Sequence, residues 1–184
     1  SGSGMKDFHQ IPMKKYKAIV IGVSAGGMAA LTKLLPMLPE HFSLPVIIVQ
    51  HLHPNQGEFY IQYFNERALL AVKEADEKES VRPGYIYFAP PNYHLLIEED
   101  QTFSLSMDER VNYSRPSIDV LFESAADVFC PGLIGIILTG ANNDGAHGLR
   151  LIKERNGLTI VQNPSDAVSP FMPRSAIDAA KPDY

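Results

Sequence analysis

This sequence predicts a doubly wound α/β domain, a mostly parallel sheet with flanking helices and a small antiparallel hairpin. Three observations carry that prediction. Strand-like and helix-like segments alternate along most of the chain, which within one sheet requires parallel pairing. The runs KAIVIG, VIIVQ and LIGIIL are apolar at every position, as befits strands covered on both faces. With 184 residues, 45% hydrophobic and 20% charged, the chain suffices for one domain burying about 70% of its unfolded surface.

Lys17–Gly22 reads as the first strand, and the small residues of VSAGG turn it into a helix over Met28–Leu38 that stops at Pro39. Pro45 introduces the second strand, residues 46–50, and FYIQYFNE marks a helix over Glu58–Glu66. A short strand is expected within Leu70–Ala75, then one over Tyr85–Ala89 closed by the turn Pro90-Pro91-Asn92. His94–Ile97 and Thr102–Ser106 flank the polar EEDQ loop and make the hairpin. Ser117 is placed to cap a helix reaching Phe129, with Asp119 in its first turn. Leu133–Leu138 is a strand, Ala146–Glu154 a helix, Leu158–Gln162 a strand, and Pro173 opens the last helix. SGSG before Met5 reads as an expression remnant, so residues 1–16 are assigned to a lead-in and 17–184 to the domain.

The bulk properties narrow the function. A net charge of −5 argues against nucleic acid as the main partner. The single cysteine, Cys130, excludes an intrachain disulfide and a cysteine-based zinc site, suits a reducing cytoplasm, and reads as a small buried hydrophobe. No apolar run approaches the ~18 residues of a membrane span, so no membrane insertion is expected.

In a doubly wound sheet, sites form at the carboxyl ends of the strands. There the first strand leads to Ser24, the second runs into His51, and IGIILTG leads through Ala141-Asn142-Asn143 to Asp144. Hydroxyl, imidazole and carboxylate form the set for acyl transfer, with an expected chain from Ser24 Oγ to His51 Nε2 and from His51 Nδ1 to Asp144. Each residue alone has a plainer reading: Ser24 as a helix cap, His51 as a polar loop residue, Asp144 as a helix-start charge. Their coincidence on one rim is what favours chemistry. GVSAG fits the G-x-S-x-G turn, although serine, acid, histidine, the order of α/β-hydrolases, is not the order here. A dinucleotide cradle fails because Ser24 replaces its second glycine and Gln50-His51 ends the second strand; a P-loop lysine is absent. No cofactor is expected. A metal site on His51 and His53 lacks a third ligand, so no metal is expected either.

The blocks IGVSAGG, VIIVQHLHP, RPGYIYFAPPNYHL, YSRPSIDVLFESAA, GIILTGANNDGAHGL and TIVQNP…FMPRSAI resemble, in order, those of the CheB-type chemotaxis receptor methylesterase catalytic domain, from about Lys17 to Ala180. The resemblance implies hydrolysis of glutamate γ-methyl esters on cytoplasmic chemoreceptor helices or a related signalling protein, releasing methanol, with glutamine deamidation as a companion activity. It places the nucleophile on Ser24, the base on His51 and the orienting carboxylate on Asp144. It points to Ala141, and with it Ala25 and Asn143, for the oxyanion and substrate site. It also sets Arg115 near the cleft; Met172 and Phe171, near the last helix, read either as pocket lining or, more simply, as core packing. Two departures stand out: Ala25 where members often have threonine, and Ala141-Asn142 where they commonly read Met-Gly. The usual N-terminal receiver domain has no counterpart in these residues. His147, one turn beyond Asp144, is expected to face away from Ser24. A binding or scaffold module that keeps the fold without the chemistry is the alternative.

Overall fold

The computed structural model describes residues 15–51 and 55–184. Residues 1–14 of the lead-in assigned to 1–16, and His53, lie outside the described residues. Six strands form one parallel sheet: β1 (Ala18–Val23), β2 (Val46–Gln50), β3 (Ala71–Glu74), β4 (Tyr85–Phe88), β7 (Leu133–Ile137) and β8 (Leu158–Val161), in the order β3-β4-β2-β1-β7-β8. Between β4 and β7 the chain leaves the sheet to form the hairpin of β5 (His94–Ile97) and β6 (Phe103–Ser106). The helices are α1 (Gly27–Leu34), α2 (Gly57–Asn65), α3 (Ile118–Phe129), α4 (Ala146–Glu154) and α5 (Phe171–Ala180).

Both faces of the sheet are buried, which is why its strands are continuously apolar. Ala18 and Val20 of β1 and Ile47 and Val49 of β2 join Leu121, Phe122 and Ala125 of α3 and Leu149 of α4 in one core. The alternate residues Ile19, Ile21, Val46 and Ile48 join Leu31 of α1 and Phe64 of α2 in the other. The hairpin adds Leu95, Ile97 and Phe103 to the first core and is tied to α3 by the Ile97 N–H donating to Ser124 Oγ at 2.9 Å.

Two boundaries differ from expectation for reasons proline supplies. The first helix gives way to a 3₁₀ turn over Leu35–Met37, because Pro36 has no N–H for the α pattern. The last helix begins at Phe171 rather than Pro173; Pro173 falls in the first turn, where a missing N–H costs nothing.

The strand order fixes where chemistry can sit. From the central β1, the chain moves to β2 on one side and later to β7 on the other, so the direction of winding switches beside β1. A crevice opens at the carboxyl ends of strands at such a switch. Val23 pairs with Gln50, and Gly22 pairs with both Val49 and Ile137. The residues just past these pairs are therefore forced together.

Candidate active site

Ser24 follows β1 directly. Its N–H donates to Thr139 O at 2.9 Å, and its carbonyl accepts the Gly27 N–H at 2.9 Å and Gln50 Nε2 at 3.1 Å. These bonds fix the backbone on both sides and leave Ser24 half-buried at the carboxyl end of the sheet. The side chain does not cap α1, whose N-cap is Gly26 in the left-handed region at φ 85°. The helix-cap reading of Ser24 is thereby removed.

His51 follows β2, and its N–H reaches across to Val23 O at 3.3 Å. Its ring spans the gap between the other two residues. Nδ1 lies 3.2 Å from Ser24 Oγ, and Nε2 lies 2.9 Å from Asp144 Oδ2. The expected attachment was the reverse, with Nε2 toward Ser24. Turning the ring over would put carbons against both partners. Since a carboxylate only accepts, Nε2 carries the proton given to Asp144, and Nδ1 is left as the acceptor.

Asp144 is wholly buried and meets only donors. Its Oδ2 accepts the His51 ring N–H and the Ile118 N–H at 2.7 Å. Its Oδ1 accepts Asn112 Nδ2 at 3.0 Å, the Ser117 hydroxyl at 2.9 Å and the Asp119 N–H at 3.1 Å. Burial pushes this carboxyl up, but the His51 bond, the α3 N–H groups and Asn112 outweigh it and hold the group below the usual carboxylate range. Asp144 therefore stays ionised at neutral pH. Ser117 is the N-cap residue of α3, as expected, yet its hydroxyl does not cap; the cap is Asp144, reaching over from the loop after β7.

Other residues singled out from the sequence take varied places. Ala25, Ala141 and Asn143 are exposed beside the triad, and the N–H groups of Ala25 and Ala141 have no partner among the described residues. Arg115 donates from Nη1 to the carbonyls of Met107 and Asp108, at 3.1 and 3.3 Å, while its Nε is buried without a partner. Met172 is fully buried and leaves no surface for a substrate, whereas Phe171 is exposed. The Met172 sulfur would meet a Cβ at Gly140, so Met172 packs against the loop that carries Ala141. His147 points outward and pairs with Glu123 at 3.2 Å. Cys130 is half-buried and free. No His, Cys, Asp or Glu cluster suited to a metal occurs among the described residues. Nor is any helix long and apolar enough to cross a membrane.

Sequence reasoning missed Asn112, Asp119 and Asn142. Asn112 Nδ2 bridges two buried carboxylates, Asp119 Oδ2 at 2.7 Å and Asp144 Oδ1. Asp119 is pushed up by burial, eased by the Gly148 N–H and raised again by Asp144. Asn142 accepts the Asp144 N–H on Oδ1 at 2.9 Å and presents Nδ2 to His51 Nδ1 at 3.2 Å. An asparagine in a loop ordinarily signals only a turn, and nothing in the local pattern distinguished these two.

Residues 19–184 match the family described as CheB methylesterase. A Leptospira interrogans protein is 55% identical over 169 residues, covering 92% of this chain and 88% of its own. The protein-glutamate methylesterase/protein-glutamine glutaminase of Thermotoga maritima is 33% identical over 94% of this chain, which spans about half (51%) of that relative. FrzG of Myxococcus xanthus, a protein-glutamate methylesterase, is 36% identical over 90% of this chain and 50% of its own. The crystal structure of the Thermotoga maritima CheB methylesterase catalytic domain superposes with a TM-score of 0.89 at 33% identity, covering 92% of this chain and 91% of that one.

Proposed function

The chain belongs to the CheB methylesterase family, and from that premise we propose that it hydrolyses γ-methyl esters of protein glutamate through Ser24, His51 and Asp144. The observation that carries the reading is the unbroken hydrogen-bonded line from Ser24 Oγ through the His51 ring to the buried Asp144 carboxylate. The relatives' names describe action on glutamate methyl esters of proteins, and the substrate proposed here is a methylated signalling protein, chemoreceptor helices foremost.

In this reading Ser24 Oγ attacks the ester carbonyl carbon while its proton passes to His51 Nδ1. Asp144 keeps Nε2–H engaged and stabilises the imidazolium without accepting its proton. The free N–H groups of Ala25 and Ala141 are the candidates to hold the oxyanion, each worth about 3 kcal/mol in studied hydrolases. The intermediate collapses, the ester C–O bond breaks, and Nδ1–H protonates the departing methoxide to give methanol. Water then gives a proton to Nδ1 as its oxygen adds to the acyl carbon; the acyl C–Oγ bond breaks, Nδ1–H returns the proton to Ser24 Oγ, and the glutamate side chain leaves. With a glutamine side chain the same steps release ammonia. Alanine at position 25 leaves the threonine hydroxyl that the family resemblance would place there out of the chemistry.

The test is a single-residue one. Ser24→Ala and His51→Ala should each lower ester turnover by roughly 10⁴-fold with the fold intact by circular dichroism. Near-full activity in Ser24→Ala would end the assignment.

A further inference from the structure

Two donors converge on one lone pair. With its proton on Nε2 and given to Asp144, the neutral His51 ring has a single acceptor left, Nδ1. Ser24 Oγ lies 3.2 Å from that nitrogen, and so does Asn142 Nδ2. The Asn142 carboxamide is not free to turn the other way. Its Oδ1 accepts the Asp144 N–H at 2.9 Å, so the NH₂ must face the imidazole. Asn142 is thus clamped between the backbone of the proposed orienting carboxylate and the basic nitrogen it serves.

We infer that Asn142 is a positioning residue that competes with Ser24 for the Nδ1 lone pair and restrains proton transfer to His51. The inference rests on the reading of His51 as the general base. It deepens that reading, because the resting ring is held by a group that must let go. While the ring is neutral, the Asn142 N–H is a second donor to it. Once Nδ1 takes the Ser24 proton, that bond is lost and two N–H donors face each other. The same carboxamide that steadies the neutral ring therefore disfavours the protonated one. Asp144 is the ionised group in contact with the ring, and Asp119 lies behind it across the Asn112 amide. Neither carboxylate is bonded to Asn142, whose contact with Asp144 is to its backbone N–H.

The variants Asn142→Ala, Asn142→Gly and Asn142→Asp separate the possibilities. The first two remove the competing donor; the third puts a carboxylate acceptor in its place. For a chromogenic carboxylic ester, the acid limb of kcat/KM should move to higher pH by about half to one unit in Asn142→Ala and Asn142→Gly. It should move further in Asn142→Asp. KM should stay within about twofold throughout, since the effect lies on proton transfer rather than binding. The His51 ring titration, followed by NMR in the Ser24→Ala background, should show the same order without needing turnover. Coincident midpoints in wild type, Asn142→Ala and Asn142→Gly overturn the inference, as does an Asn142→Asp midpoint below wild type. Ester cleavage persisting in Ser24→Ala would instead remove the nucleophile assignment and leave the ring titration to decide on Asn142.

Discussion

The carboxylate of Asp144 accepts the backbone N–H of Ile118 at 2.7 Å, which makes the partner of the His51 ring the N-terminal cap of α3. The helix offers its first N–H groups and the positive end of its dipole, and the carboxylate satisfies them. In return these donors keep Asp144 ionised in a fully buried setting, against the upward push of that burial. One side chain thus serves folding and the proposed chemistry together.

Loss of this carboxylate should therefore cost stability, unlike loss of the nucleophile. Asp144→Ala strands the Ile118 and Asp119 N–H groups and the Ser117 hydroxyl in a dry interior, a loss of about 2–4 kcal/mol. Asp144→Asn should fare little better, because every partner on both oxygens is a donor and an amide NH₂ in either place must oppose at least two of them. Urea unfolding at neutral pH measures both, with Ser24→Ala, expected within about 0.5 kcal/mol of wild type, as the reference. An Asp144→Asn midpoint equal to wild type would contradict the capping role.

Acid should erase that difference. The folded Asp144 carboxyl lies below its ordinary 3.8, so its stabilisation is present above that value and is lost as pH falls through the folded one. Asp119 works in the opposite sense: burial raises it, so its contribution is lost as pH rises through its raised value. The stability gap between wild type and Asp144→Ala should hold from neutrality down to about pH 4 and close below it. A gap independent of pH would show that shape, and not charge, is what Asp144 supplies.

The rim on which Ser24, His51 and Asp144 emerge was legible because it follows from three apolar strands and their order of connection. Register then did the rest, Val23 lying opposite Gln50. The orientation of the His51 ring was not legible, since it depends on which ring edge meets partners 27 and 93 residues away and no residue type encodes it. Asn112, Asp119 and Asn142 act across long separations, and Asn112 lies 32 residues from the carboxylate it holds. Locally each looks like turn or helix-start punctuation. Ser117 shows the limit from the other side: its place at the helix start was readable, and the bond its hydroxyl makes was not.

The glycines behind Ser24 should resist substitution for two separate reasons. A Cβ on Gly27 would collide with Gln50 Oε1 and stand 2.7 Å from Val23 Cγ2, displacing the amide that holds the Ser24 carbonyl. A Cβ on Gly26 would stand 2.6 Å from the Val168 Cβ, in a backbone at φ +85° that side chains rarely adopt. Gly27→Ala and Gly26→Ala should each cost about 1–3 kcal/mol, read from thermal melting, and both should lower ester turnover. A stable, fully active Gly27→Ala would show that the Gln50 contact does not hold Ser24 in place.

Tyr113 should behave in the opposite way. Val111 and Ser114 exchange backbone hydrogen bonds at 3.0 and 2.9 Å around Asn112 and Tyr113, whose φ values are 52° and 63°. A two-residue turn with both central residues left-handed favours Asn-Gly, so Asn112 suits its place and Tyr113 does not. The tyrosine is 97% exposed and recovers nothing by packing. Holding an aromatic residue there costs about 1–2 kcal/mol, against about 0.5–1 kcal/mol for the extra chain entropy of glycine. Tyr113→Gly should accordingly raise the melting temperature by about 1–4 °C and leave the Asn112 bridge to Asp144 and Asp119 in place. Turnover of a small ester should then be unchanged, since no atom of Tyr113 enters the proposed chemistry. A lowered melting temperature would mean that the tyrosine ring makes contacts worth more than the strain it imposes.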